Sequence, residues 1–141
     1  MANLKQGADG GADFVGYGSL AYGFVPVNIE WTAASVDKIK FVATRRYAVR
    51  SISARVEVAG TDGSAVTAVI KKAASGTAIA SGTALHSGSI DLKGTAATTQ
   101  ALTLSTTASD LIIEAGDCIG IDFTGTLTSA TGAVSVALVP A

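Results

Sequence analysis

In the segment SISARVEVAG (51–60), residues 51–58 alternate in character without a break. Ile52, Ala54, Val56 and Val58 fall on one side of an extended chain, and Ser51, Ser53, Arg55 and Glu57 on the other. Successive side chains of a strand point to opposite faces, so this run specifies a strand with one face buried and the other in water. A core-facing helix would instead carry an apolar stripe at a period of about 3.6 residues, and no long stripe of that kind occurs in the chain. The segment GTDGS follows, with the Asp-Gly pair that readily supplies positive φ, and AVTAVIKK (65–72) then resumes β-branched residues. The two runs are therefore expected to form a hairpin.

Similar short runs recur downstream. HSGSIDLKG places Ile90 and Leu92 on one face, and TQALTLS does the same with Leu102 and Leu104. CIGIDF aligns Ile119, Ile121 and Phe123, and AVSVALV aligns Val134, Val136 and Leu138. SGTAIASGTA, with its two SGTA units, reads as a loop or a short edge strand. Seven or eight strands with turn chemistry every eight to twelve residues predict an all-β, antiparallel β-sandwich, with a jelly roll as the preferred variant. The sandwich domain is assigned to residues 27–141.

Residues 1–26, ending GYGSLAYGFVP, are different. Glycines are dense there and are interleaved with Phe14, Tyr17, Tyr22 and Phe24. Glycine frees the backbone, and aromatic rings supply contact area at low rotamer cost, so this segment reads as an extended arm that lies over a partner. MANLKQGADGGADF lacks the apolar run of a signal peptide, and no stretch approaches the length of a membrane helix, so synthesis in the cytoplasm and no membrane partner are expected.

Composition narrows the function classes. Charged residues are only 15% of the chain while mean hydropathy is +0.45. That excludes the low-hydropathy, high-charge class of disordered chains and leaves few charges to cover the outside, which favours an oligomer or a surface-docked protein. The net charge of −1 is unevenly spread: residues 38–72 hold eight Lys/Arg against two acids, leaving −3 before them and −4 after. A basic overall balance and aromatic platforms among the cations, which a nucleic-acid binder would have, are lacking. The densest basic cluster is Arg45, Arg46 and Arg50, beside Tyr47, and the arginine fork suits a carboxylate-bearing protein surface.

ASDLIIEAGDCIGIDFTG (108–125) concentrates Asp110, Glu114, Asp117 and Asp122 around the single cysteine, Cys118. Glu114 with Asp117 or Asp122 could be drawn as a glycosidase pair, but the one tryptophan, Trp31, is remote in sequence. Gly116-Asp117 instead has the chemistry of a tight turn, with Asp117 bonding backbone donors at the corner. A Cys118–His86 pair needs the fold to bring the two together, and Cys118 at the start of an apolar strand reads as a small core residue. No loop has the ligand density of a calcium site, and GYGSLAYG lacks the lysine and helix of a phosphate loop. No catalytic residue, metal or cofactor is expected, and the chain is read as a non-enzyme.

Three stretches, FVATRRYAVRSISARVEVAGTDGSAVTAVIKKA, SGTAIASGTALHSGSIDLKGTAATTQALTLS and LIIEAGDCIGIDFTGTLTSATGAVSVALVP, span most of residues 32–139. They resemble the small all-β decoration, or cement, proteins of tailed-bacteriophage capsids. The resemblance implies a structural virion protein on the outer capsid surface that stabilises the head by bridging capsid subunits. It also implies a homotrimer whose partner is the major capsid protein, with no direct nucleic-acid contact. Capsid or subunit contacts are then expected at Phe14, Tyr17, Tyr22 and Phe24 of the arm and at Arg45, Arg46 and Arg50. The alternative is a carbohydrate- or receptor-binding sandwich of a phage head or tail fibre, with Trp31 as the residue to test.

Overall fold

The computed structural model describes residues 23–32 and 37–141, and among these it is an antiparallel β-sandwich of two five-stranded sheets. The first sheet runs β1 (Val25–Trp31), β10 (Thr131–Pro140), β3 (Tyr47–Val58) and β7 (Thr98–Ala101), with the short β8 (Ile112–Ile113) also paired to β3. The second runs β2 (Lys38–Val42), β9 (Cys118–Thr124), β4 (Thr67–Ala73) and β5 (Thr83–Ala84), with β6 (Ile90–Asp91) also paired to β4. β7 and β8 share one flank of β3, and β5 and β6 share one flank of β4, so each sheet is four positions wide. Consecutive long strands alternate between the sheets. β1 opens at Val25, inside the stretch read as arm.

The expected β3–β4 hairpin does not form. β3 pairs with β10, β7 and β8, whereas β4 pairs with β9, β5 and β6, so the connection crosses from one sheet to the other. The Asp-Gly pair closes no two-residue turn, because Asp62 is held elsewhere. Its carboxylate accepts from the Thr128 hydroxyl (2.6 Å) and backbone N–H (3.3 Å), while the Lys93 ammonium donates to the Asp62 and Ser64 carbonyls. These bonds tie residues 61–64 to the neighbouring loops at that end of the sandwich.

β3 shows how the alternation is used. Tyr47 and Val49 are buried at odd positions, and Ile52, Ala54 and Val56 at even ones. The parity changes because Ser51 pairs with Ala137 while Val49 pairs with Leu138, leaving Arg50 as the extra residue of a β-bulge. One inserted residue lets both halves of the strand face the core. A second irregularity pairs Val56 with Gly132 and Val58 with Thr131, leaving Glu57 extra. Val58, expected to share the face of Ile52, Ala54 and Val56, is accordingly 50% exposed.

Between the sheets, Ile29, Trp31, Ile52, Val56, Val134, Val136 and Leu138 meet Ile70, Leu85, Ile90, Leu92, Ile119 and Ile121, all essentially solvent-free. Burial of each large aliphatic side chain contributes about 1.5–3 kcal/mol relative to exposure. Trp31 fits because its strand partner is Gly132, whose missing side chain leaves room for the indole. A satellite cluster of Ala73, Ile79 and Cys118 covers the far side of the second sheet, where Ile79 packs over Gly120.

One flank of β4 is completed by a side chain. β5 covers Lys71–Lys72 and β6 covers Thr67–Ala68, which leaves the amide of Ile70 between them. That N–H donates to Nε2 of buried His86 (3.1 Å), while the Ile70 carbonyl accepts from Leu85 N–H (2.9 Å). His86 in turn forms a bridge with Leu104, connecting this flank to the other sheet's neighbourhood.

Candidate docking surface

The strand directions bring most of the described candidate residues to one end of the sandwich. β1 leaves this end and β2 returns to it, β3 leaves it and β10 returns. Val25, Leu138 and Val49 form one row across β1, β10 and β3. Phe24 lies one residue beyond that row, level with Val139 and Ala48, and about 10 Å from Ala48 at the usual strand spacing. Arg45 and Arg46 lie in the turn from β2 to β3, and Arg50 is the bulged residue on β3. Phe14, Tyr17 and Tyr22 lie outside the described residues.

The backbone at this end is tied down. Ala43 N–H donates to the Asp117 carbonyl (2.8 Å), Gly116 N–H to the Ala43 carbonyl (2.8 Å), and Ala141 N–H to the Arg46 carbonyl (3.2 Å). The corner 114–117 closes on itself, with Glu114 N–H donating to the Asp117 carboxylate (2.9 Å) and Asp117 N–H to the Glu114 carbonyl (3.0 Å). Gly116 takes φ +93° there, a conformation that disfavours side chains. Beneath the surface, Phe41 and Tyr47 pack edge to face with centroids 5.7 Å apart.

The three arginines are not equivalent. Arg46 Nε bonds Glu114 Oε2 at 3.0 Å, with both side chains more than half exposed. Such a pair contributes about 0.2–1 kcal/mol, and its main effect is to offset the Arg46 charge within the chain. Arg45 and Arg50 are exposed and make no hydrogen bond or ion pair with the described residues. Phe24 is 54% and Val42 59% exposed at the same end, with Ile39 also outward on β2. Val42 and Ile39 were not singled out from sequence. The signal was present in KIKFV, whose lysines mark a strand too polar for the middle of a sheet.

The acids of the stretch 108–125 have structural partners. Asp110 accepts from the Ser105 hydroxyl (2.6 Å), Glu114 holds Arg46, Asp117 caps the corner as expected, and Asp122 pairs with Lys71 at 2.7 Å in a mostly buried position. Glu114, Asp117 and Asp122 are thus turned to three separate partners. Among the described residues, no group of three or more His, Cys, Asp and Glu side chains is placed to hold a metal ion.

Cys118 and His86 do not meet. Cys118 pairs with Ala73 on one flank of β4, whereas His86 binds Ile70 on the other flank, three residues or about 10 Å along the strand. Because Nε2 accepts the Ile70 proton, the His86 proton sits on Nδ1, 3.1 Å from the Ser87 carbonyl. Burial pushes the His86 pKa below its ordinary value, an effect opposed by the Ser87 carbonyl. Trp31 is 1% exposed and is core, so its ring offers no stacking face to a sugar.

No family model matches the chain, and no curated protein matches it. Two solved structures are similar over 84% of it. One is from the capsid asymmetric unit of the cyanophage Pam1, at 12% identity over 84% of that chain, with a TM-score of 0.48. The other is from Bacillus endospore appendages, described as a family of disulfide-linked pili, at 20% identity over 88% of that chain, with a TM-score of 0.35.

Proposed function

We propose that this chain is a structural virion protein that decorates the outer surface of a tailed-phage capsid, docking through the end that carries Phe24, Val42, Arg45 and Arg50. The observation that carries the reading is the convergence at that end of exposed apolar side chains and unpaired guanidiniums, where the chain emerges from residues 1–22. An arm entering there would add contacts to those of the sandwich. The strand order supports the same reading. Each sheet interleaves early strands with late ones, β1-β10-β3 and β2-β9-β4, an order that a jelly roll would have, and jelly rolls recur in capsid domains.

The role is non-enzymatic. A protein that binds the assembled shell and not its separate subunits stabilises the shell by mass action. A homotrimer would present three such ends and gain avidity when all three engage together.

The test is cosedimentation of the full chain with tailed-phage heads assembled from a major capsid protein. Saturable pelleting, a higher melting temperature for the decorated heads and a solution mass near three chains are expected. A chain that stays in the supernatant at every concentration, with no change in head melting, would overturn the proposal.

A further inference from the structure

The geometry points to a carboxylate-bearing protein surface as the partner of this end, received by Arg45 and Arg50 with Phe24 and Val42 as apolar anchors. This rests on the reading of that end as the docking surface and adds the chemistry of what it docks to. Of the three arginines, Arg46 is neutralised within the chain by Glu114, and Asp117 is occupied by the Glu114 amide. Arg45 and Arg50 are therefore the arginines left unpaired at this end, with exposed Lys40 on β2 adding to the same sign of charge.

Both are mounted on fixed backbone. Arg45 sits in a turn whose flanking residues are held by bonds to Asp117, Gly116 and Ala141, and Arg50 is directed outward by the bulge that reconciles the two halves of β3. A fixed backbone leaves only the side chain's own freedom to be lost on binding, and the guanidinium fork matches the two oxygens of a carboxylate. Phe24 and Val42 are exposed at the same end, so a partner seated on the arginines would also cover apolar surface.

A polyphosphate partner fits less well. Binding nucleic acid requires a track of cations that neutralise successive phosphates. Here two unpaired arginines stand at one end of a chain whose net charge is −1, with its acids concentrated before residue 38 and after residue 72. An anionic bilayer would meet the same overall repulsion.

The experiment compares the full chain with Arg45→Gln, Arg50→Gln and the double variant, and uses Arg55→Gln as a control. Arg55 lies towards the other end of β3, beside Glu57, and its change removes the same charge as either single variant. Each is run in a salt gradient on immobilised poly-L-glutamate, on double-stranded DNA cellulose and with phosphatidylglycerol vesicles, and is also cosedimented with heads. Thermal melts matching the parent establish folding.

Retention on poly-L-glutamate that survives Arg55→Gln and is lost in the double variant, with at least tenfold weaker binding to heads, is the expected result. Equal retention of the double variant, or stronger retention on DNA or vesicles than on poly-L-glutamate, overturns the inference. If the parent and the double variant pellet equally with heads, the docking reading stands and this chemistry fails. If the parent is retained by poly-L-glutamate through these arginines and ignores heads, the chemistry stands and the capsid reading fails.

Discussion

Replacing His86 tests whether a side chain completes the flank of β4. In His86→Leu the apolar volume is approximately kept while the acceptor for Ile70 N–H is removed. Ile70 is fully buried, so its amide has no route to water, and an orphaned buried donor costs about 1–3 kcal/mol. For a chain of this size each kcal/mol lowers Tm by about 2–4 °C, so a fall of roughly 2–12 °C is expected. His86→Gln can place an amide oxygen near the position of Nε2 and should recover part of that loss. The assay is thermal melting by circular dichroism at fixed protein concentration, with amide exchange at Ile70 as the local probe. A His86→Leu protein as stable as the parent, or a His86→Gln protein no better than His86→Leu, would refute the role assigned to Nε2. The pH dependence has a definite sign. The folded-state pKa lies below the unfolded value of about 6.5, so between the two the unfolded chain binds more protons and stability falls as pH falls. The contribution is fully present above about pH 6.5 and is lost by the time pH has passed the folded pKa. That acid slope should flatten in both variants.

Two further substitutions probe the packing. Gly132→Ala would press a methyl group onto Trp31 Cζ2 and Cη2 and the Arg55 carbonyl, and neither an indole nor a backbone can retreat easily. A loss of about 3 kcal/mol in urea unfolding is expected, at the upper end of ordinary overpacking, and an unchanged midpoint would contradict the packing described. Asp122→Ala removes the partner of Lys71, leaving that ammonium with the Ala80 carbonyl in a mostly buried position. It should cost about 1–3 kcal/mol, between the values for exposed and buried pairs, and a loss within error of zero would make the pair incidental.

The class of fold was legible because alternation in β3, β9 and β10 is a local property. What joins to what was not. The Asp-Gly pair after β3 suggested a hairpin, yet Asp62 is recruited by Thr128, which lies 66 residues away and cannot be anticipated from local spacing. The bulge at Arg50 was half visible, since Tyr47 and Val49 stand out of phase with Ile52, Ala54 and Val56. A single parity change means either an inserted residue or a strand end, and only the register with β10 decides between them. Of the candidate residues, the arginine cluster was visible as charge density. The division of labour within it was not, because Glu114 reaches Arg46 from a segment 68 residues away. His86 was read as a possible nucleophile partner, since a solitary histidine carries no mark in the sequence of the amide it caps.

The hydrogen bond from Ala141 to Arg46 places residue 141 at the same end as Phe24 and the arginines. On the proposed docking, a tag or passenger domain fused after residue 141 would lie against the docking surface and compete with whatever seats there. β3 runs 12 residues, or about 35–40 Å, from that end to the other. Beyond its far terminus, Gly63 has open space around its α-carbon. On the proposed docking, a peptide inserted beside Gly63 with the bonds of Asp62 kept would point away from the shell, a position for displaying foreign sequence on an assembled particle.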